Sequence, residues 1–314
     1  MFLKKSATSK IELGIPIIGI GNITVGGTGK TPFTIWLGKF LTGRNLKPGI
    51  FTTGYKASSK KATGINHQDK FGDETLEISN ELKNIPVISG RNRAANINKF
   101  KGKNLDLAIL DDAYQQWGIK KCLDILLIDS TLPFGNYLTL PAGILREPLS
   151  SIKRADIIIL THVSEVSPEK INEISIILRK RLTKDVPIFH SSHIIEKFHN
   201  NSGRTIELNE VGEQNIITVT GIANPYSFNK ILKDLGCRIL KSFIFPDHHP
   251  YSEENLEVIN HYADSKEVSF IITTQKDFVK INKLKGVPEN LIYSRLNLKI
   301  DDEPKLQEII LSKL

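Results

Sequence analysis

The chain has 314 residues, of which 40% are hydrophobic and 24% are charged, as is typical of a soluble globular protein with two domains. The formal net charge of +8 favours anionic partners, but aromatic residues make up only 7% and no nucleic-acid-binding motif occurs, so we expect no nucleic-acid partner. The two cysteines lack metal-ligand or disulfide spacing, and the apolar runs are too short to span a bilayer, which predicts a cytoplasmic protein.

Short apolar runs alternate with amphipathic segments along the first 200 residues. In segments such as 33–41 and 170–182, the apolar residues recur at spacings of three and four, as they do on one face of a helix. This alternation is typical of an α/β fold in which helices cover a mostly parallel sheet. The predicted strands lie at residues 16–21, 48–53, 85–89, 105–110, 125–129, 156–161 and 186–190.

Near residue 200 the sequence reads Asn-Asn-Ser-Gly, which predicts a turn or a linker. Strands and helices alternate again after it, so we predict one domain over residues 1–195 and a smaller α/β domain over 196–314. The predicted strands of the second domain lie at 215–220, 238–245, 268–273 and 291–300, and its helices begin near 225, 252 and 304.

The stretch GNITVGGTGKTP, residues 21–32, has the features of a phosphate-binding loop between a strand and a helix. Its glycines between residues 26 and 29 would let backbone N–H groups turn toward phosphate oxygens. Lys30 would reach the β and γ phosphates, and the Thr31 hydroxyl would bind Mg²⁺. Thr24 replaces the usual first glycine, but that position supplies backbone geometry and no ligand. The alternative is a plain strand–helix turn with a surface lysine.

Two further segments carry candidate polar ligands, each with an alternative interpretation. The strand predicted at 105–110 leads into Asp111 and Asp112, which are either Mg²⁺-binding acids of the Walker-B type or a solvated turn. In a later loop, Arg146 and Glu147 are either contacts for phosphate and metal, respectively, or a surface ion pair.

Residues 245–252 read FPDHHPYS, with two adjacent histidines after an aspartate. Zinc is disfavoured, because no other His or Cys cluster supplies the remaining ligands at a recognisable spacing. Two interpretations remain open: an acid–imidazole pair, and a polar turn that leads into the helix predicted at 252.

In their order and spacing, these motifs resemble the tetraacyldisaccharide 4′-kinase family, the lipid A 4′-kinases, over nearly the whole chain. A phosphate loop alone would be generic, whereas the series as a whole is specific. Besides that loop, the resemblance is carried by FGDET at 71–75, GRNRAAN at 90–96, ILDDAYQQ at 109–116, FGNYLTLPAGILREPLSSIKRAD at 134–156, TGIANPYSF at 220–228, FPDHHPYS at 245–252 and ITTQKDFVKI at 272–281.

The resemblance implies a P-loop NTPase-like domain with a mostly parallel sheet, joined by a hinge to a smaller α/β domain, with the active site between them. It implies transfer of the γ-phosphoryl group of ATP, with Mg²⁺, to the 4′-hydroxyl of a tetraacylated glucosamine disaccharide 1-phosphate, forming lipid IVA. The partners implied are this lipid A precursor and the membrane surface, with no obligate protein partner. The enzyme would be cytoplasmic and peripheral on the inner face of the inner membrane.

The resemblance also implies roles for individual residues. Asp73 resembles the general base of the family, Asp247 and His248 the pair that supports it, and Asp111 and Asp112 its acidic pair. The ATP loop would comprise Thr24, Val25, Gly26, Gly27, Thr28, Gly29, Lys30 and Thr31. The expected metal contacts are Thr31, Asp112 and Glu147, and the expected contacts to substrate phosphate are Arg91 and Arg146.

This sequence departs from the family pattern in places. Ala113, Tyr114 and Gln116 stand where the family usually has Gly, Phe and His. Family members usually carry a membrane-docking helix before the position of Ile11, where only a turn or two could fit here. Two alternatives stay open: the chain begins late, or other surfaces reach the membrane. The rival interpretations are a P-loop kinase with a soluble substrate and a nucleotide-dependent switch, which would need no base.

Overall fold

The computed structural model describes residues 10–53, 73–102, 104–222, 224–247 and 249–314, and for Asp73 and Glu74 it describes the backbone alone. The chain divides into two compact units. The first unit comprises Met1–Ser192 together with Ile300–Leu314, and the second unit comprises His193–Lys299.

Strands and helices alternate along both units. In chain order they are β1 (Ile17–Gly21), α1 (Lys30–Gly43), β2 (Pro48–Thr52), α2 (Asp73–Glu81), β3 (Val87–Ser89), α3 (Arg93–Phe100), β4 (Leu107–Leu110), β5 (Leu123–Asp129), β6 (Ile157–Thr161), α4 (Pro168–Arg179), β7 (Ile188–Asn200), β8 (Thr205–Ile206), α5 (Leu208–Val211), β9 (Asn215–Thr220), α6 (Pro225–Asp234), β10 (Arg238–Ile244), α7 (Glu253–Ser265), β11 (Phe270–Thr274), α8 (Gln275–Ile281), β12 (Leu291–Ile300) and α9 (Glu303–Leu311). Short 3₁₀ helices cover Leu149–Arg154 and Val163–Glu165.

The first unit is built on a parallel sheet with the strand order β7-β6-β5-β1-β4-β2-β3. Its central strands are buried along their whole length, as expected for a parallel sheet with helices on both faces. In such a sheet the carboxyl ends of all strands lie at one edge, so the loops after β1, β4, β5 and β6 meet there. That edge carries the candidate site.

Local sequence explains where helices of the first unit begin. Asn92 caps α3 by accepting a hydrogen bond from the backbone N–H of Ala95, and Ser167 caps α4 in the same way from Lys170, with Pro168 in the first turn. Helix α1 is different, because Gly29 at its N-cap has φ 77°, a left-handed conformation that favours glycine.

The second unit contains the parallel strands β10-β9-β11-β12 and a hairpin formed by the end of β7 with β8. Apolar residues on both faces of its sheet, among them Phe198, Phe228 and Ile259, form its core. The Asn-Asn-Ser-Gly stretch is the hairpin turn, since the Asn200 N–H donates to the Arg204 carbonyl. It is therefore a turn within the second unit.

The prediction of an α/β fold with a mostly parallel sheet is confirmed in both units. The predicted extents, 1–195 and 196–314, differ from the observed units chiefly at the C terminus. Residues 300–314 belong to the first unit, where the Trp36 indole N–H donates to Glu303 and the His190 backbone N–H donates to Asp301. Helix α9 thus packs on elements far away in sequence.

Candidate active site

The loop between β1 and α1 has the open geometry that a phosphate needs. Gly26 has φ 108°, and a Cβ atom placed on Gly26 or Gly27 would meet nothing within 4 Å. Gly26 and Gly27 are exposed, whereas Thr28 is buried, and its hydroxyl lacks a hydrogen-bond partner in the described part of the chain. A loop that leaves this space and this unsatisfied donor at the start of a helix suits a bound anion.

The threonine at position 24 has a structural explanation. Thr24 is buried and forms a bridge with Leu145, and the neighbouring Val25 N–H donates to the Ile144 carbonyl. The backbone at this position therefore pairs in an extended conformation, which a β-branched residue favours. Thr24 anchors the loop to the segment around Leu145, and its place in the ATP loop stays a prediction.

Asp112 is the centre of an ionic cluster at the mouth of the loop. The Lys30 ammonium lies 3.7 Å from its Oδ1 atom, and Arg146 donates to both of its carboxylate oxygens, at 3.0 and 3.1 Å. Burial alone would raise the pKa of Asp112, but the charges of Lys30 and Arg146 outweigh it and hold this pKa below its usual value. Asp112 is therefore ionised at neutral pH.

The backbone at Asp112 is unusual, with φ 50° in the left-handed region. Residues other than glycine adopt this conformation at a cost, and such residues concentrate at functional sites. Asp111 is buried and accepts a hydrogen bond from the Thr34 hydroxyl at 3.1 Å, which ties the acidic pair to α1. The two acids thus have different surroundings, because Asp111 contacts α1 whereas Asp112 contacts Lys30 and Arg146. A catalytic role for either acid stays a prediction.

Arg93 is the site residue that the sequence analysis missed. It is 2% exposed, and its Nη2 atom donates to the Asp112 carbonyl at 3.2 Å. Its Nε and Nη1 atoms are buried without a hydrogen-bond partner among the described residues, so a planar donor set remains unsatisfied beside the acidic pair. Burial lowers the pKa of Arg93, whereas the charges of Asp111 and Asp112 raise it.

The predicted phosphate contact Arg91 lies two residues before Arg93 and is exposed. The sequence carries only a weak signal for Arg93, namely its spacing of four residues from Ile97, which places both on one face of a helix. In the structure both side chains are buried on that face of α3. Arg91 precedes the helix and does not share that face. The structure brings Arg93 to the acidic pair, and a role for Arg91 in binding phosphate stays a prediction.

Arg146 and Glu147 do not form the surface ion pair of the alternative interpretation. Arg146 pairs with Asp112, whereas Glu147 is 6% exposed and pairs with Arg154 at 2.8 Å. Glu147 also accepts a hydrogen bond from the side-chain amide of Gln115 at 2.9 Å. These contacts give Glu147 a role in joining two segments, and its predicted contact with a metal stays a prediction.

The departure at Tyr114 is accommodated by packing. Its ring is buried, its hydroxyl donates to the Ser151 carbonyl at 2.7 Å, and the Arg154 guanidinium lies 4.5 Å from the ring centroid. Because Arg154 also pairs with Glu147, the tyrosine belongs to the network that holds Glu147, the residue next to Arg146. Tyr114 therefore contributes to the site indirectly, through its contact with Arg154.

The predicted base and its supporting pair are described only in part. Asp73 begins α2, and its side chain lies outside the described atoms, as does the whole of His248. Asp247, in the second unit, is exposed, with its Oδ1 atom 3.4 Å from the Lys276 ammonium. The neighbouring His249 stacks on Phe245 at 4.5 Å. The roles of Asp73, Asp247 and His248 stay predictions.

The residues around the loop suit Mg²⁺ bound together with a nucleotide. Among the described residues, no group of three or more His, Cys, Asp or Glu side chains could hold a metal ion. Mg²⁺ is usually held by one or two carboxylates together with substrate phosphates, and the ionised Asp112 and the hydroxyl of Thr31 supply ligands of that kind.

Comparisons with known proteins show which family this chain resembles along its whole length. A family model described as tetraacyldisaccharide-1-P 4′-kinase matches residues 1–314. Curated tetraacyldisaccharide 4′-kinases from Halothermothrix orenii and Elusimicrobium minutum are 32% and 33% identical to this chain; each match covers 87% of it, and 76% and 74% of the respective relative. The crystal structure of LpxK from Aquifex aeolicus in complex with ATP is similar over 98% of this chain and 90% of its own, with 27% identity and a TM-score of 0.69.

Proposed function

Because this chain belongs to the tetraacyldisaccharide-1-P 4′-kinase family, we propose that the cluster around Lys30 performs the phosphoryl transfer of that family. The chain is an ATP-dependent kinase of lipid A biosynthesis. It transfers the γ-phosphoryl group of ATP to the 4′-hydroxyl of a tetraacylated glucosamine disaccharide 1-phosphate. The observation that carries the proposed site is the contact of Lys30 and Arg146 with Asp112 beside an open, glycine-rich loop.

The roles of the residues follow from charge and position. Phosphoryl transfer passes through a loose transition state whose charge lies on the oxygens of the transferred group, so positioned cations lower its energy. Lys30 and Arg146 supply such cations, and Asp112 fixes where they point. Arg93 adds a second guanidinium to the same side, with two nitrogens left unsatisfied.

Thr31 and Asp112 would hold Mg²⁺, which neutralises phosphate charge when it is bound. Asp73 would accept the proton of the acceptor hydroxyl as the new O–P bond forms, and the Asp247–His248 pair would orient this base. These assignments rest on the family resemblance and on the chemistry of carboxylates and imidazole.

We further propose that the enzyme works as a peripheral protein on the inner face of the inner membrane. No helix within the described residues is both long and apolar enough to cross a bilayer. The loop after β5 exposes about half of each of four large apolar side chains, namely Leu132, Tyr137, Leu138 and Leu140. Such a cluster on a protein with net charge +8 suits an anionic lipid surface, where the acyl chains of the acceptor lie.

The structure holds these apolar side chains in a defined loop. The Leu140 N–H donates to the Leu145 carbonyl, the Leu145 N–H donates to the Leu138 carbonyl, and Phe134 is buried beneath. The segment at Leu145 pairs in turn with Thr24 of the phosphate loop. The exposed apolar cluster is thus connected to the catalytic loop by backbone contacts.

The function is tested by incubating the protein with γ-labelled ATP and a tetraacylated disaccharide 1-phosphate in detergent micelles. Label transferred to the 4′ position supports the proposal. Transfer to a soluble disaccharide at the same rate would instead favour the kinase with a soluble substrate. Partner-stimulated hydrolysis of ATP without any acceptor would favour the nucleotide-dependent switch.

A further inference from the structure

A second titratable pair lies at the same sheet edge and has no part in the mechanism above. Strand β5 ends at Asp129 and the adjacent β6 ends at Thr161, which is its register partner. The next residue, His162, places its Nδ1 atom 3.2 Å from Asp129 Oδ1. The same oxygen accepts hydrogen bonds from the backbone N–H and hydroxyl of Thr131, so Asp129 is firmly held.

His162 is itself in an unusual conformation, with φ 56°. A histidine in the left-handed region is uncommon, and such conformations persist where surrounding contacts enforce them. Its side chain is 16% exposed, so most of the imidazole is enclosed while one part still reaches solvent. The ring is therefore positioned by both its backbone and its carboxylate partner.

This pair is joined to the phosphate loop by Thr161. The Thr161 hydroxyl donates to the Thr28 carbonyl at 3.3 Å, and its methyl group lies 3.4 Å from where a Cβ on Gly29 would be. Two buried hydroxyls of this region, those of Thr28 and Ser130, lack hydrogen-bond partners within the described residues. Buried polar groups are seldom left unsatisfied, so polar ligand atoms are expected next to them.

The strand order indicates which part of a nucleotide lies here. Strand β1, with its loop, stands between β4 and β5 in the order β6-β5-β1-β4. The cation cluster around Asp112 follows β4, so the γ-phosphate end of a bound triphosphate points to that side. The nucleoside must then leave the loop on the opposite side, over the ends of β5 and β6. Strands are about 5 Å apart, so β6 lies roughly 10 Å from β1, within reach of a nucleoside.

We propose that His162, positioned by Asp129, is a nucleoside-binding residue of this kinase, which contacts the base or ribose of ATP beside the phosphate loop. The inference rests on the proposed function, because it requires that the loop binds the triphosphate. An imidazole can stack on a base with its ring face or bond a ribose hydroxyl through nitrogen. Asp129 acts as a positioning residue, since its bond at Nδ1 sets the orientation of the ring.

The test compares two ligands that share phosphates but differ in the nucleoside. Isothermal titration measures the affinity for a non-hydrolysable ATP analogue and for inorganic tripolyphosphate. His162→Asn is the main variant, because asparagine tolerates the left-handed backbone, and His162→Ala is the second. Both should weaken binding of the ATP analogue by about tenfold, the loss typical of one good contact, and leave tripolyphosphate binding within about twofold.

Two further variants make the test specific. Lys184→Ala removes the cation from the Asp156–Lys184 ion pair at the opposite end of β6 and should change neither affinity. Asp129→Asn should lower the affinity for the ATP analogue less than His162→Asn does, since it removes only the charged partner that orients the His162 ring. A single cooperative unfolding transition well above the temperature of the titration should show that each variant is folded.

The possible outcomes separate the two proposals. If His162→Asn lowers the affinity for both ligands equally, or lowers neither affinity, the nucleoside role is overturned while the kinase site stands. If the wild-type protein binds neither ligand, the proposed phosphate site and this inference fail together. Lys30→Ala should lose affinity for both ligands, and His162→Asn should lose affinity for the ATP analogue alone. These two results together support the phosphate site and the nucleoside role of His162.

Discussion

The ammonium group of Lys30 lies 3.7 Å from the carboxylate of Asp112. The first residue of α1 is thus paired with the second of the two acids that follow β4. Arg146 shares the same carboxylate, and Asp112 is thereby held in its ionised form. A negative charge between two cations positions both of them. The cations themselves are what a transferred phosphoryl group needs.

Lys30→Ala should lower kcat by about 10²-fold or more, because a point charge at the transferred phosphate is lost while the backbone donors of the loop remain. Nucleotide affinity should fall less than turnover. Lys39→Ala, on the same helix but in an exposed pair with Glu81, is the matched control and should keep wild-type activity. Near-normal turnover by a folded Lys30→Ala protein would contradict the site.

Arg93→Lys should lower kcat/KM by about tenfold or more, because a lysine keeps the charge but cannot reproduce the planar donor set of the guanidinium. Arg91→Lys, at the exposed position, should have a smaller effect. Steady-state kinetics of both variants compare the arginine found in the structure with the one predicted from the sequence. A larger loss for Arg91→Lys would favour the sequence-based assignment.

The stability that the Asp129–His162 pair contributes should depend on pH. Burial opposes the charged form of each partner, but their mutual contact raises the pKa of His162, with help from Glu165, and lowers the pKa of Asp129. A raised histidine pKa stabilises the fold below its unfolded value of about 6.5, and a lowered aspartate pKa stabilises it above about 3.9. The contribution is therefore largest between these values and falls as the pH rises through the raised pKa of His162.

The measurement is the difference in unfolding temperature between wild type and His162→Asn, which should be larger near pH 5.5 than near pH 8.5. Taking this difference at each pH cancels the effect of the other titrating groups, because they are common to both proteins. A difference that grows toward pH 8.5 would mean that the imidazole is held in its neutral form.

Asp73→Ala should slow phosphoryl transfer by about 10²–10⁴-fold, the range for a positioned general base. His248→Ala should cost a comparable or smaller factor, because the imidazole is proposed to orient that base. The double variant should be little worse than Asp73→Ala, since residues that share one function are non-additive. Fully multiplicative losses in single-turnover assays, with ATP binding unchanged, would separate the two roles.

Binding to anionic vesicles should weaken as salt is added, because charge attraction is screened over about 8 Å at physiological ionic strength. Leu138→Ser combined with Leu140→Ser should reduce binding further in vesicle co-sedimentation. Ile176→Ser, which removes an exposed apolar residue of α4, is the control and should have little effect. Tight, salt-insensitive binding to neutral vesicles would instead indicate a larger apolar docking surface elsewhere.

Part of the fold and part of the site could be predicted from the sequence. The strands β1 to β6 and the loop before α1 were predicted because their signals are local: short apolar runs, glycines at fixed spacing, and a lysine and threonine at the helix start. The short helix α3 was missed, and Arg93 with it. Only two residues of α3, Arg93 and Ile97, are buried, so the apolar periodicity of this segment is too weak to distinguish it from a polar loop.

The sequence by itself determined the α/β alternation, the phosphate loop and the family resemblance, because each depends on residues that are close together along the chain. Only the tertiary structure decided which distant charges meet. Arg146 pairs with Asp112 and Glu147 with Arg154, although the sequence makes Arg146 and Glu147 neighbours. Asp129 meets His162 because two parallel strands end side by side. Partner choice among charges follows from strand order and burial, which no local pattern encodes.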